Sequence, residues 1–250
     1  MANIQFNGVR KVFAGDLAPV VAIDRFDFEV RHDEFVSIVG PSGCGKSTLL
    51  YLLGGFIDRS GGEILIDGKP VAGPGPDRGI VFQHFALFPW MTVMGNVEFG
   101  LVERGVPKAE RRDICQRHID MVKLTGFEDT FPNRLSGGMQ QRVALARTLA
   151  CDPAVLLMDE PFGALDAQTR HLLQEELLDI WRRKKKTVLF VTHDVREAVI
   201  LSERVVVMSA RPGRVKAVIE VERSPGGAAA AVEKQAEHIW SILRSEMALT

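Results

Sequence analysis

Short apolar runs and alternating stretches divide this chain into elements before any chemistry is considered. Phe35–Val39, Ala154–Met158 and Thr187–Val191 are almost wholly apolar and bounded by turn residues. Runs of that length read as strands buried on both faces. Gly79–Phe82 and Arg204–Met208 read the same way, and Gly213–Val221 as a further strand. Ile4, Phe6 and Val9 to Phe13 suggest a first strand, and Asp24–Val30 alternates with Phe26, Phe28 and Val30 on one face. Gly62–Gly68 is a strand closed by an Asp-Gly turn. A helical pattern appears from Ser47 to Leu53 and in a charged segment from Pro107 to about Leu124. It returns over Met139–Ala150, with Val143, Leu145, Ala146 and Leu149 apolar, and over Gln168–Lys186, with Leu172, Leu173, Leu177, Ile180 and Trp181 on one side. Glu233–Met247 reads as an amphipathic terminal helix, Gly73–Asp77 as a loop and Gly226–Val232 as a small-residue linker. No internal repeat stands out.

Bulk properties narrow the class. At 250 residues, 46% hydrophobic and 25% charged, the chain is that of an ordinary globular protein, one large domain or a domain with an inserted subdomain. A net charge of −1 offers no electrostatic case for nucleic acid. The basic run Arg182–Lys186 suits a solvated helix C-terminus better than a nucleic-acid patch. Cys44, Cys115 and Cys151 are too far apart in sequence for a metal spacing, and their odd count fits a reducing compartment. The N-terminus lacks a signal-peptide pattern, and no apolar run approaches the ~20 residues of a membrane helix.

The chemistry begins at GPSGCGKST: Gly40, Pro41, Ser42, Gly43, Cys44, Gly45, Lys46, Ser47 and Thr48. It fits the phosphate-binding pattern G-x-x-x-x-G-K-[ST] between an expected strand and an expected helix. Glycines allow successive N–H groups to converge on phosphate oxygens, and the helix start adds the positive end of its dipole. Lys46 is expected to reach the β- and γ-phosphates, and the Ser47 hydroxyl to ligate Mg²⁺. The rival account, a glycine-rich turn with a surface lysine, does not explain the flanking pattern. The chain is therefore expected to bind a nucleoside triphosphate.

Other candidates fall at strand ends, where open α/β sheets gather ligand groups. Gln83 follows the Gly79–Phe82 strand and is a candidate for the γ-phosphate, or a loop amide bonded to backbone. Asp159 and Glu160 close a buried strand; desolvating two acids is costly unless a metal ion and a polarised water are at hand. Asp159 would then hold Mg²⁺ and Glu160 would activate the attacking water, the alternative being two solvated turn acids. His193 closes the Thr187–Val191 strand, a functional or a structural histidine. Ser136, Gly137 and Gly138 precede a helix, as a second anion site or as an N-cap alone. Phe13 could stack on adenine, though its residue type favours core. The apolar loop Phe85–Trp90 is either packed core or a surface that docks a partner.

Five motifs thus stand in one order: GPSGCGKS, Gln83, LSGGM with its following QQR, VLLMDEP, and His193. Over residues 3 to 221 the chain resembles the ATP-binding subunit of an ABC transporter, and LSGG is the specific part. The resemblance implies an α/β P-loop NTPase fold: a RecA-like core at about 1–88 and 152–221, an antiparallel β subdomain, an inserted helical subdomain at about 89–151, and a tail from 222. It implies that Phe13 stacks on adenine, against the core preference. It implies a Mg²⁺ shell from Ser47, Gln83 and Asp159, with Glu160 as catalytic base and His193 as γ-phosphate switch. Ser136, Gly137 and Gly138 would contact ATP bound to a second nucleotide-binding subunit, and Asp166 would belong to the family's D-loop. Met139 stands where the commonest signature has glutamine.

The segments PGPDRGIVFQ, LFPWMTVMGNV and SARPGRV further resemble nitrate, sulfonate and taurine importers. That implies a homodimer peripheral on the cytoplasmic face of the inner membrane, with Phe85–Trp90 at the docking site of a transmembrane permease. A periplasmic or lipoprotein solute-binding protein would act through the permease. The alternatives are a soluble ABC-type ATPase, an exporter subunit and a P-loop nucleotide kinase; LSGG and the late His193 oppose the last.

Overall fold

The computed structural model describes residues 2–15, 18–163, 165–222 and 229–247. They form two compact units, one of residues 1–78, 155–159 and 185–250, the other of 79–154 and 160–184.

The first unit carries two sheets. β1 (Ile4–Phe13), β2 (Val20–Val30), β4 (Gly61–Ile66) and β5 (Lys69–Pro70) form an antiparallel sheet in the order β2-β1-β4-β5. Phe6 and Phe26 meet edge-on at 5.3 Å on its buried face. β2 begins at Val20, four residues before the alternation becomes visible.

The second sheet centres on β3 (Phe35–Val39), which lies between β8 (Thr187–Val191) and β9 (Arg204–Met208), parallel to both. β7 (Val155–Asp159) flanks β8 in parallel, and β10 (Val215–Glu220) closes on β9 antiparallel. Every residue of β3, β7 and β8 is buried, as expected for largely apolar strands covered on both faces. Because the three run parallel, Val39, Val191 and Asp159 all end their strands at one edge of the sheet.

Helix α1 (Lys46–Gly54) follows β3, and α6 (Val195–Leu201) follows β8. The terminal helix, α7 (Ala229–Met247), packs on α6 and β9: Ala236, Ile239 and Leu243 join Val195, Ala198, Val199, Val205 and Val207 in one cluster. Burying each large side chain there contributes ~1.5–3 kcal/mol. Arg196 of α6 pairs with Glu233 of α7 at 2.7 Å. α7 starts at Ala229, so residues 229–232 belong to the helix rather than to a linker; alanine is the best helix former. Residues 226–228 of the expected linker lie outside the described residues.

The second unit opens with the end of β6 (Arg78–Val81) and is otherwise helical: α2 (Val93–Glu103), α3 (Lys108–Met121), α4 (Gly137–Ala150) and α5 (Ala167–Lys184). Leu173, Leu177, Leu178, Ile180 and Trp181 form the buried stripe of α5, while Leu172 is exposed. The sequence analysis assigns no element to α2, although Val93, Val97 and Leu101 recur at helical spacing and are buried. Asn96 lies on the same buried face and is 0% exposed. The Asn96 amide donates to the carbonyls of Phe88, Met91 and Thr92, and its oxygen accepts from Phe88 N–H. Arg147 of α4 donates to the carbonyls of Phe85 and Ala86. The apolar loop is thus tied down at both ends. Phe88 packs on Phe99 at 4.5 Å, whereas Trp90 remains 70% exposed. Among the described residues, no helix is long and apolar enough to cross a membrane.

Candidate active site

The phosphate loop leaves β3 at Val39. Gly45 caps α1 at φ +106°, a conformation L side chains rarely adopt, and a Cβ there would press on Ile23. No side chain caps α1, and its first turn carries no acid. The first-turn N–H groups and the positive helix end are therefore left for an external anion. Lys46 is only 6% exposed, and its ammonium donates to the carbonyls of Gly40 at 2.9 Å and Pro41 at 3.0 Å. A buried cation held by carbonyl oxygens beside an uncapped helix start fits a polyphosphate. The Cys44 thiol is tucked under the loop, where burial pushes its pKa up, so only its backbone faces a ligand.

Asp159 ends β7 at 3% exposure, and each carboxylate oxygen meets a hydroxyl. Ser47 Oγ donates to Oδ1 at 2.8 Å and Tyr51 Oη to Oδ2 at 2.9 Å. Burial, then Asp159 itself, pushes the Tyr51 pKa up to about 12. Both of these hydroxyl donors are neutral, and a cation between the buried carboxylate and Ser47 would relieve the cost of burying its charge. Oxygen donors of this kind suit Mg²⁺, which keeps waters and substrate phosphates in its shell. Among the described residues, no group of three or more His, Cys, Asp and Glu could hold a metal alone, so phosphate and water oxygens would have to complete the shell.

At the β8 end, Thr192 and Glu197 share a hydrogen bond and Asp194 Oδ1 caps α6 through Arg196 N and Glu197 N. His193 is exposed between these two anchored neighbours.

In the second unit Glu160 takes a left-handed φ of +43°, rare for a residue with a Cβ. Glu160 Oε2 and Gln83 Nε2 both lie 3.9 Å from the point a Cβ on Gly163 would occupy, so the two functional ends turn toward one place. Ser136 caps α4 by accepting from Met139 N at 3.3 Å, a contact compatible with an N-cap and with an anion site alike. Gly137 follows at the open first turn, while Gly138 is buried against Thr169. Asp166 accepts from Gln168 N and Thr169 N at the start of α5, and those bonds hold its pKa below the usual carboxylate range.

Phe13 is 38% exposed with the Lys11 ammonium 4.8 Å from its ring centre, so it is not a core residue. Two features of the first unit escape sequence reading. Tyr51 lies one helical turn beyond Ser47, a spacing that could have suggested a shared partner. Arg211 donates through Nε and Nη2 to the Gly43 carbonyl at 3.1 and 3.0 Å. Its neighbour Gly213 passes so close that a Cβ would overlap the Cys44 carbonyl. The SARPGR turn thus braces the phosphate loop from below. Gly213→Ala is expected to cost ~2 kcal/mol and lower Tm by about 4–8 °C in thermal denaturation; an unchanged Tm would show that the turn has room.

The family model for ABC transporters matches residues 23–163, a span that includes the phosphate loop, Gln83, LSGG and Asp159-Glu160. This chain belongs to the ABC transporter family. As an ABC cassette it is an ATPase and binds ATP. Its relatives include the nitrate import ATP-binding protein of Synechocystis sp., 51% identical over 86% of this chain and 80% of that protein. The aliphatic sulfonates import ATP-binding protein of Bacillus cereus is 47% identical over 87% and 86%. A dimeric ATP-binding cassette solved in a post-hydrolysis state with ADP and Pi superposes with a TM-score of 0.79 at 33% identity, over 88% of this chain and all of the other. The P-loop NTPase fold expected from the sequence is the one observed.

Proposed function

We propose that this cassette is the ATP-hydrolysing subunit of an importer for a small anion such as nitrate, a sulfonate or taurine. It would work as a head-to-tail homodimer on the cytoplasmic face of the membrane, beneath a transmembrane permease fed by a solute-binding protein. The observation that carries the ATPase site is the Ser47–Asp159 contact at 2.8 Å, which links the end of β7 to the phosphate-binding helix. The import direction and the anion class are supported by what the nitrate and sulfonate relatives are named for. The exposed Trp90, on a loop anchored by Asn96 and Arg147, supports docking of a partner there.

In this reading Lys46 and the loop amides bind the β- and γ-phosphates, and Phe13 stacks on adenine. Ser47, Gln83 and Asp159 hold Mg²⁺, which when bound neutralises phosphate charge. Glu160 accepts a proton from the water that attacks the γ-phosphorus. His193 contacts the γ-phosphate. Ser136, Gly137 and Gly138, with Asp166 nearby in sequence to the following helix, face the nucleotide of the opposite subunit. The amide ends of α1 and α4 supply the fixed dipoles that such a transition state needs.

The test is retention of membrane chains. A tagged Glu160→Gln cassette, expressed in its source cell, is recovered from membranes solubilised in mild detergent with ATP and Mg²⁺. A multi-span permease is the expected companion. A dimer free of any membrane chain across several detergents would overturn the transport reading.

A further inference from the structure

We propose that Tyr51 is a positioning residue of the magnesium site, holding Asp159 in the rotation that turns its other oxygen to Ser47. The inference rests on the ATPase reading above and adds a residue to it. Ser47 and Tyr51 are four apart on α1, so they share one face of the helix. That face meets the end of β7, where the two hydroxyls take one carboxylate oxygen each, at 2.8 and 2.9 Å.

The two contacts are chemically unequal. The Ser47 oxygen can offer lone pairs to a cation while its proton still points at Oδ1. Tyr51 has one proton, and it is spent on Oδ2. Without that bond a carboxylate at 3% exposure would lose a donor and gain freedom to rotate about its terminal torsion. Ser47 would then face a less defined acceptor. Groups that orient a ligand in this way carry a large part of metal affinity.

Tyr51 is itself held in place. Phe56 stands edge-on to its ring at 6.4 Å with an interplanar angle of 88°. Gly54 leaves room for that ring, since a Cβ there would come within 2.6 Å of two Phe56 carbons. Phe56 is 48% exposed, so the support sits at the surface and can be trimmed without opening the core.

The experiment compares wild type, Tyr51→Phe and Phe56→Ala as full chains. Free Mn²⁺ is followed by electron paramagnetic resonance during titration in the presence of ATP, and ATP binding is measured separately in EDTA. Tyr51→Phe should raise the Mn²⁺ dissociation constant about tenfold. Its ATP affinity in EDTA should stay within about twofold, and its Tm should fall by no more than about 8 °C, because phenylalanine fills the same space and one buried oxygen loses its donor. Phe56→Ala should produce a smaller rise in the same direction. Unchanged Mn²⁺ affinity in Tyr51→Phe would overturn the inference. So would equal losses of ATP affinity with and without metal, which would mark a merely structural tyrosine. A wild type that binds ATP but gains nothing from Mn²⁺ would overturn it too; a wild type that binds no ATP would overturn the underlying ATPase reading as well.

Discussion

A Lys46→Ala cassette is expected to bind ATP at least a hundredfold more weakly than wild type. The ammonium is buried to 6% exposure and donates to the carbonyls of Gly40 and Pro41. Those neutral acceptors leave its full charge directed at whatever enters the loop. Two unit charges 4 Å apart interact by ~4 kcal/mol at an effective dielectric of 20, close to three orders of magnitude in affinity. Truncation removes that attraction and keeps the loop amides, so some binding to the helix end should survive. Titration with a fluorescent ATP analogue reads the result. Wild-type affinity in the mutant would contradict a phosphate role for Lys46, and a Tm unchanged by ATP would confirm that the loss is one of binding.

A Glu160→Gln cassette should keep ATP affinity within about threefold while turnover falls by ~10²–10⁴, the range for removal of a general base. Glutamine matches glutamate in shape, so the left-handed turn at φ +43° need not change. What it loses is the ability to take a proton from water. ATP would then be held without being cleaved, and the dimer it bridges should accumulate in sedimentation runs with ATP and Mg²⁺. Turnover within threefold of wild type would remove Glu160 from the base role. A monomer at saturating ATP, with turnover lost, would retain the base and discard the sandwich.

Both predictions concern residues whose place was visible from local pattern. Lys46 and Glu160 each follow a fully buried strand, and a strand end is defined by its own residues. The same holds for Gly45, whose +106° φ is a demand that glycine meets locally. The pattern was silent where a segment owes its shape to distant partners. The buried asparagine at the core of α2 is unreadable without the loop it ties. α6 is seven residues long, too short for periodicity to speak. Alanines 229 to 231 suit a linker because they are small, and they extend α7 because alanine is the best helix former.

The sequence by itself determined the strand-loop-helix phosphate site, the order of motifs and, through LSGG, the family. Each depends on a few adjacent residues whose backbone freedom, charge or apolar run suffices to set the local structure. Only the tertiary structure decided that Phe13 is exposed, that the terminal helix packs rather than hangs free, and that Tyr51 reaches Asp159 across 108 residues of chain and Arg211 reaches Gly43 across 168. Such contacts are made by the closure of long loops around a shared sheet, and no residue in either partner announces the other.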